Sequence, residues 1–416
     1  MTRFADLVST ARACLVADDG DLWGISLADV SWMGIEDDRI LLTADPCRPG
    51  YAPDGQGLWS GPRPPDFALG STSLEWAGRR WAASEFSFHD TDKAAVRELL
   101  HEAWHVVVQP QLFSDITSIE TTGVPGADLL DTANGRTWLR LESVALSRAL
   151  ALVGTDDEWR SAAADALLFR RRRGLHATAA EAMREQNLDI AEGMAEYTGW
   201  RLSGASPQAL AEHVQDLPDG DEVSWVRSFP YHTGPAYGYL LDATGSEWRR
   251  RLQVVKDLQA LLSETVENHD LAAAETRGEA YGLEGVRRLE TAREKRQQAK
   301  VDVLRKRFAA SRVLRIRWQR NGLTFRPGQV TPLDIGTVYR HLAWRSPDGC
   351  ELVAPGGALL TPDWSEIWVP LDASTLPDGS PPSLPTTLNG DGWTLRVTDV
   401  WRLRPDGDAW HVEPMP

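Results

Sequence analysis

His101-Glu102-Ala103-Trp104-His105 sets two imidazoles four residues apart, with a carboxylate beside the first. On a helix, residues i and i+4 share a face, so both rings can converge on one metal ion with Glu102 next to it. Zinc takes such neutral nitrogen donors and, in catalytic sites, keeps one position for water. It lowers the pKa of that water toward ~7 and polarises a carbonyl, while a nearby carboxylate moves the proton from the water to a leaving amine. The expectation is a Zn2+ centre with His101 and His105 as ligands and Glu102 as general base and acid. The bland alternative is a pair of partly buried helix histidines around an accidental glutamate. With nine histidines in 416 residues, such a run arises by chance in roughly one chain in a hundred.

Two histidines leave the ligand set incomplete. An HExxHxxGxxH continuation is excluded, because Val108 and Gln111 stand where its glycine and third histidine would be, and Pro110 is expected to end the helix. A carboxylate from a later helix is the remaining route. Asp189-Ile-Ala-Glu192-Gly193-Met-Ala-Glu196-Tyr-Thr-Gly199 offers Glu192, with Glu196 four residues on along the same face. Glu185, one heptad earlier, competes for the role, and a solvated acidic helix face is the other reading.

At this point the chain resembles the gluzincin zinc metallopeptidases, the thermolysin and aminopeptidase N groups among them. Aminopeptidases of that kind carry an N-E-G-F-A type segment whose glutamate binds zinc. The resemblance implies that Glu192 is the third ligand and that Glu196 fixes a ligand histidine by hydrogen bonding. Gly193 is expected to let the two ligand helices approach closely. A second patch, Pro230-Tyr231-His232-Thr233-Gly234, is similar to the P-Y-x-x-G segment whose tyrosine stabilises the oxyanion, which points to Tyr231. A phenol suits that task because it donates while staying neutral at pH 7. His232 beside it is the other candidate. The resemblance covers patches between residues 70 and 245. Eighty-six residues separate His105 from Glu192, Ala191 replaces the asparagine, and no G-A-M-E-N strand is present, so amino-terminal trimming is not implied.

These groups need a scaffold of three parts. Residues 1–90 read as an N-terminal β region, with strands at Ala13–Ala17, Leu22–Leu27 and Arg39–Leu42, a loop at Gly57–Pro65, and a strand–turn–strand at Ser73–Trp81 that could edge the cleft. Residues 91–311 read as a helical catalytic domain. Its first helix is capped by Asp90 or Thr91 and runs to Pro110. Others are expected at Trp138–Val153, Asp156–Arg173, Thr178–Leu202, Pro235–Leu241, Val254–Val266 and Leu283–Phe308. Arg170–Arg173 is read as a structural helix end whose cations complement the macrodipole. Residues 312–416 read as a β-sandwich-like domain, with strands at Leu314–Trp318, Leu352–Val353, Ile367–Pro370 and Trp393–Leu403, and with turns at Pro355–Gly357 and Leu376–Pro382. Trp318, Trp364, Trp393, Trp401 and Trp410 are expected in its core. The fold class is α+β: a mainly helical zincin-like domain flanked by two β regions.

Composition narrows the partners. A net charge of −16 argues against nucleic acid. No run of about 18 apolar residues is present, so no membrane span is expected. The first residues lack a continuous apolar stretch, so no secretory signal is expected. Three scattered cysteines suggest no disulfide framework, which fits a cytoplasmic setting. The expected activity is hydrolysis of peptide bonds in a peptide or protein substrate. Two alternatives remain: a zinc hydrolase acting on another amide or an ester, and a degenerate, non-catalytic binding module.

Overall fold

The computed structural model describes residues 3–64, 67, 70–116, 128–155, 157–221, 224–310, 312–318, 322–325, 330–371, 375–376 and 381–415. The expected α+β class is found, with strands towards the N-terminus, eleven α-helices among the described residues, and β-sheets towards the C-terminus. The chain forms two compact units. One takes in Met1–Thr121, Asn134–Pro218 and Ser224–Arg287, so the N-terminal strands and most of the helices share it. The other takes in Thr122–Ala133, Asp219–Val223 and Arg288–Pro416.

The first unit opens with helix α1 (Arg3–Asp18). A six-stranded sheet follows, made of β1 (Trp32–Ile35), β2 (Arg39–Leu42), β3 (Ala52–Pro53), β4 (Trp59–Pro62), β5 (Thr72–Trp76) and β6 (Arg79–Ser84). Its order is β3-β4-β2-β1-β6-β5, which leaves β5 at an edge. β1 and β6 run parallel, with Met33 opposite Ala83, and the other pairs are antiparallel. Next come α2 (Asp92–Leu112), α3 (Ala133–Leu152), α4 (Trp159–Gly174), α5 (Ala179–Leu202), α6 (Pro207–Gln215), α7 (Pro230–Ala243), α8 (Trp248–Val255), α9 (Leu258–Ser263) and α10 (Ala274–Glu279). α11 (Leu283–Arg305) begins in this unit.

Three helices make the frame that matters for the site. Thr91 caps α2 by accepting from Ala94 N at 3.2 Å, which stabilises the helix start by about 1 kcal/mol. Thr178 and Glu181 form a reciprocal capping box on α5. α5 packs most extensively on α7 and α2, and the side-chain-free faces of glycine permit both crossings. A Cβ on Gly199 would stand 2.6 Å from the carbonyl oxygen of Arg97, so this glycine brings α5 onto α2. Gly193 was expected to serve that contact. It instead meets Gly234 of α7, where a Cβ on Gly234 would lie 2.3 Å from the Gly193 Cα. Trp23 ties the elements together. Its ring makes edge contacts with Trp104, Phe113, Tyr197 and Trp248 at 6.1–6.3 Å, and its N–H donates to Thr198 Oγ1 at 3.0 Å.

Several expected elements are corrected. Ala13–Ala17 is not a strand but the end of α1, whose buried Phe4, Leu7, Val8, Ala11 and Leu15 recur at helical spacing from the helix start into that segment. Leu22–Leu27 forms turns, held by Trp23 rather than by strand pairing. Within the expected Gly57–Pro65 loop, Trp59–Pro62 pairs with β2, and Pro62 sits at the end of the ladder, where its missing N–H costs little. α2 passes through Pro110 to Leu112, and only its last turn carries the proline. α7 begins at Pro230 and contains Pro235. The expected Val254–Val266 helix is two helices. Lys256, at φ 53°, closes α8, and the Asp257 carboxylate caps α9 from Ala260 N at 2.8 Å. Pro65, Asp156 and residues 377–380 of the expected Leu376–Pro382 turn lie outside the described residues.

The arginine run Arg170–Arg173 is structural, though mainly through ion pairing. Arg170 reaches Asp189 at 2.5 Å, and Arg173 reaches Glu142 and Glu185 at 3.0 Å each. Tyr237 donates to Glu142 at 2.9 Å. This buried cluster joins α3, α4, α5 and α7, and it removes Glu185 from the competition for the ligand role.

The second unit is built from two sheets. One holds β7 (Val313–Arg317), β9 (Val330–Leu333), β10 (Gly336–Tyr339), β13 (Ala358–Leu360), β14 (Glu366–Pro370), β17 (Trp401–Asp406) and β18 (Ala409–Pro414). The other holds β8 (Leu323–Thr324), β11 (Leu342–Arg345), β12 (Glu351–Ala354), β15 (Thr386–Gly390) and β16 (Trp393–Val397). Their orders are β17-β18-β7-β14-β13-β10-β9 and β15-β16-β12-β11-β8. Leu314, Ile316 and Val412 of the first sheet share one core with Trp344, Leu352 and Leu395 of the second, as a sandwich requires. The expected Trp393–Leu403 strand is two strands, β16 and β17. Trp318, Trp393, Trp401 and Trp410 are core residues as expected, whereas Trp364 is 47% exposed.

Candidate metal centre

The residues singled out in the sequence meet where α2, α5 and α7 come together. His101 Nε2 and His105 Nε2 stand 3.1 Å apart, and Glu192 Oε2 is 3.6 Å from each. Two donors bound tetrahedrally at zinc distances are separated by about 3.3 Å, so the three atoms fit one small cation. They form the one group of this kind among the described residues. Ala103 and Trp104, the two variable positions of the motif, turn into the hydrophobic core. Burial is incomplete, with 13% of the His105 side chain and 14% of the Glu192 side chain open to solvent.

Hydrogen bonds on the far sides of both rings fix their tautomers. His101 Nδ1 faces Glu196 Oε2 at 3.0 Å, and Trp200 Nε1 donates to the other oxygen of that carboxylate at 2.9 Å. A carboxylate can only accept, so His101 carries its proton on Nδ1 and presents Nε2 to the donor cluster. Glu196 therefore stands where the sequence reading put it. His105 is fixed by a residue that reading missed: its Nδ1 faces Gln109 Oε1 at 2.7 Å. The Gln109 amide is oriented in turn, because its nitrogen donates to the Ile116 carbonyl at 3.1 Å. The only hint in the sequence was the i, i+4 spacing of His105 and Gln109.

Electrostatics mark the cluster as a place for positive charge. Burial depresses the His101 pKa, but Glu192 and Glu196 outweigh it and hold the imidazole well above its ordinary value. Burial raises Glu192 and Glu196, and in both the neighbouring histidines win and lower the carboxyl pKa. Glu102 is the exception. Burial pushes it up to about 7 against the pull of His101 and His105. Its Oε2 is buried without a hydrogen-bond partner, an unusual cost for a group of this kind. Tyr231 completes the group. Its hydroxyl donates to Glu192 Oε2 at 2.7 Å, and its ring lies flat on His101, with centroids 5.6 Å apart. Burial, reinforced by Glu192, raises the phenol pKa, so the hydroxyl keeps its proton.

α2 is also tied to the sheet edge. Glu98, one turn before His101, accepts from Ser84 Oγ of β6 at 2.6 Å and bonds to Ser71, just before β5, and to His89. This anchor was not visible in the sequence, since its four members come from different segments. It ties β5, an edge strand among the described residues, to the HExxH helix.

All six of the predicted site residues, His101, Glu102, His105, Glu192, Glu196 and Tyr231, are thus brought together, whereas His232, the other candidate on α7, is buried with its ring stacked on His213 of α6. Two imidazoles and one carboxylate are donors of the kind zinc takes, and catalytic zinc sites with three protein ligands give the fourth position to water. No protein-family model matches the chain, and no curated protein or solved structure is significantly similar to it.

Proposed function

We propose that the protein is a zinc-dependent peptidase. The observation that carries this reading is the convergence of His101 Nε2, His105 Nε2 and Glu192 Oε2 within 3.6 Å, beside a buried, unpartnered Glu102 carboxylate oxygen. Zinc held by these three donors would supply Lewis acidity to a water and to the scissile carbonyl. Glu102 takes the proton of the attacking water and hands it to the leaving amine. Tyr231, a neutral donor already within reach of the cluster, hydrogen-bonds the carbonyl oxygen as it gains charge, a contact typically worth about 100- to 1,000-fold in turnover. β5, the outermost strand of its sheet among the described residues, offers backbone groups to an extended peptide, which favours peptides over other amides. Glu196 and Gln109 hold the two imidazoles in the tautomer that binds a metal.

Substrates of this kind are peptides or proteins. Neither nucleic acid nor membrane is a proposed partner: the net charge is −16, and no helix of the described residues is long and apolar enough to cross a membrane. The three free thiols, Cys14, Cys47 and Cys350, suit a reducing, cytoplasmic compartment.

The test pairs metal analysis with cleavage of a mixed-sequence peptide library by the wild type and by Glu102→Gln. One zinc per chain in both proteins, with cleavage by the wild type alone, supports the reading. Metal-loaded wild type that cuts esters but no peptide overturns the choice of substrate. A chain that takes up no zinc overturns the whole assignment.

A further inference from the structure

Tyr231 lies in the first turn of α7, and the amide that would normally bond its carbonyl belongs to Pro235. Proline has no N–H, and its ring presses on the carbonyl four residues back. Phe229, at the helix start, adds no side-chain cap. The backbone that carries the phenol is therefore poorly held by its own helix.

A neighbouring helix makes good the loss. His213, in the last turn of α6, donates from Nε2 to the Tyr231 carbonyl at 3.3 Å. A second bond runs the opposite way: His232 Nδ1 donates to the His213 carbonyl at 3.1 Å. Both acceptors are carbonyl oxygens, so the facing nitrogens must carry the protons. The two rings stack at 4.5 Å with 16° between their planes, and Trp200 of α5 lies against His213 at 5.1 Å. Burial lowers the pKa of both imidazoles, which keeps the pair neutral at pH 7.

We infer that His213 is a positioning residue for Tyr231: its Nε2–H replaces the amide that Pro235 lacks and sets where the phenol stands against Glu192 and His101. The catalytic consequence rests on the peptidase reading, whereas the structural part does not. Without the clasp, the Tyr231 carbonyl loses the His213 donor as well as the Pro235 amide, and the hydroxyl loses its fixed place. A misplacement of about 1 Å costs about 100-fold in turnover when the group acts in the transition state.

Two variants separate the donor from the ring. His213→Phe keeps a ring for stacking and removes the N–H. His213→Gln removes the ring and keeps an N–H at the position of Nε2. Zinc content should match the wild type in both. In His213→Phe, kcat on a peptide found with the library should fall about 10- to 100-fold with KM little changed, and His213→Gln should recover most of it. In a Tyr231→Phe background, His213→Phe should have no further effect, the non-additivity expected of two residues acting as one. A second readout needs no activity. In full-length protein labelled with 13Cζ-tyrosine, the Tyr231 resonance, assigned by its loss in Tyr231→Phe, should shift in His213→Phe and stay near its place in His213→Gln. An unmoved resonance in His213→Phe, or a Gln variant as impaired as the Phe variant, overturns the inference. If the wild type cleaves no peptide, the peptidase reading fails, and the resonance arm still decides the role of His213.

Discussion

Gly234→Ala is the most informative single change in the frame of the site. The added methyl would stand 2.3 Å from the Gly193 Cα and 2.9 Å from its carbonyl carbon. Carbon atoms in contact prefer about 3.5–4.0 Å, so the backbones of α5 and α7 must part by more than 1 Å. No rotamer change can relieve a contact between two main chains. Alanine in a helix interior gains about 1 kcal/mol over glycine, while overpacking costs roughly 1–3 kcal/mol or more. The two terms leave a net loss of up to about 2 kcal/mol. Gly193→Ala is the control. Its methyl would lie 3.0 Å from the Gly234 Cα, a shortfall of a few tenths of an ångström that the gain in helix propensity should nearly cancel. Urea unfolding of the two variants gives the comparison. α7 supplies none of the three donor atoms, so zinc stoichiometry should survive Gly234→Ala while kcat falls with the displacement of Tyr231. If both variants unfold at the wild-type midpoint, the close crossing of α5 and α7 is wrong, and the placement of Tyr231 fails with it.

Gln109→Leu removes the acceptor that fixes the His105 tautomer. Its zinc affinity, measured by competition with a chelator, should fall about 10- to 100-fold, and an unchanged Kd would remove Gln109 from the centre. Glu142→Ala removes the fully buried carboxylate that Arg170 and Arg173 share and leaves them Glu185 and Asp189, and should cost about 3 kcal/mol in urea unfolding, the low end for a broken buried pair; a cost below about 1 kcal/mol would show the cluster to be slack. His232 is 7% exposed, and burial holds its pKa at about 4, below the ordinary 6.5. The unfolded chain therefore binds a proton that the folded chain refuses, and stability from this group falls as pH drops from about 6.5 to 4, by up to about 3 kcal/mol. His232→Asn keeps a donor towards the His213 carbonyl and cannot titrate, so its unfolding free energy should vary less with pH than that of the wild type. Parallel pH curves would contradict the buried neutral histidine.

Much of the site was legible because its chemistry is local. His101 and His105 share a helical face by spacing alone, and Glu192 and Glu196 do the same on α5, so two short patterns supplied the donor set and one of its supports. Tyr231 followed from a third pattern at the start of α7. What stayed hidden depends on which elements meet. Gly193 was a sound signal of a close crossing, but the sequence could not say that its partner is Gly234 rather than the HExxH helix. Pro235 announces an unbonded carbonyl, yet nothing in the chain places His213 beside it. Glu98, Ser71, Ser84 and His89 converge only through the sheet. In the N-terminal part, the turn-rich composition masks the helical period of the Phe4–Leu15 stripe, and Ala13–Ala17 taken alone resembles a strand. The arginine run shows the reverse case: its structural role was anticipated, but its ion partners are distributed over three other helices.

The proposed peptidase requires that His101, His105 and Glu192 grip a single zinc ion. Anomalous diffraction at the zinc edge, from crystals of the full-length protein grown with equimolar zinc, tests it most directly. The expected result is one strong peak about 2.0–2.2 Å from His101 Nε2, His105 Nε2 and Glu192 Oε2, lost in His105→Ala crystals. A peak bound only by other residues, or none between these three side chains, would contradict it.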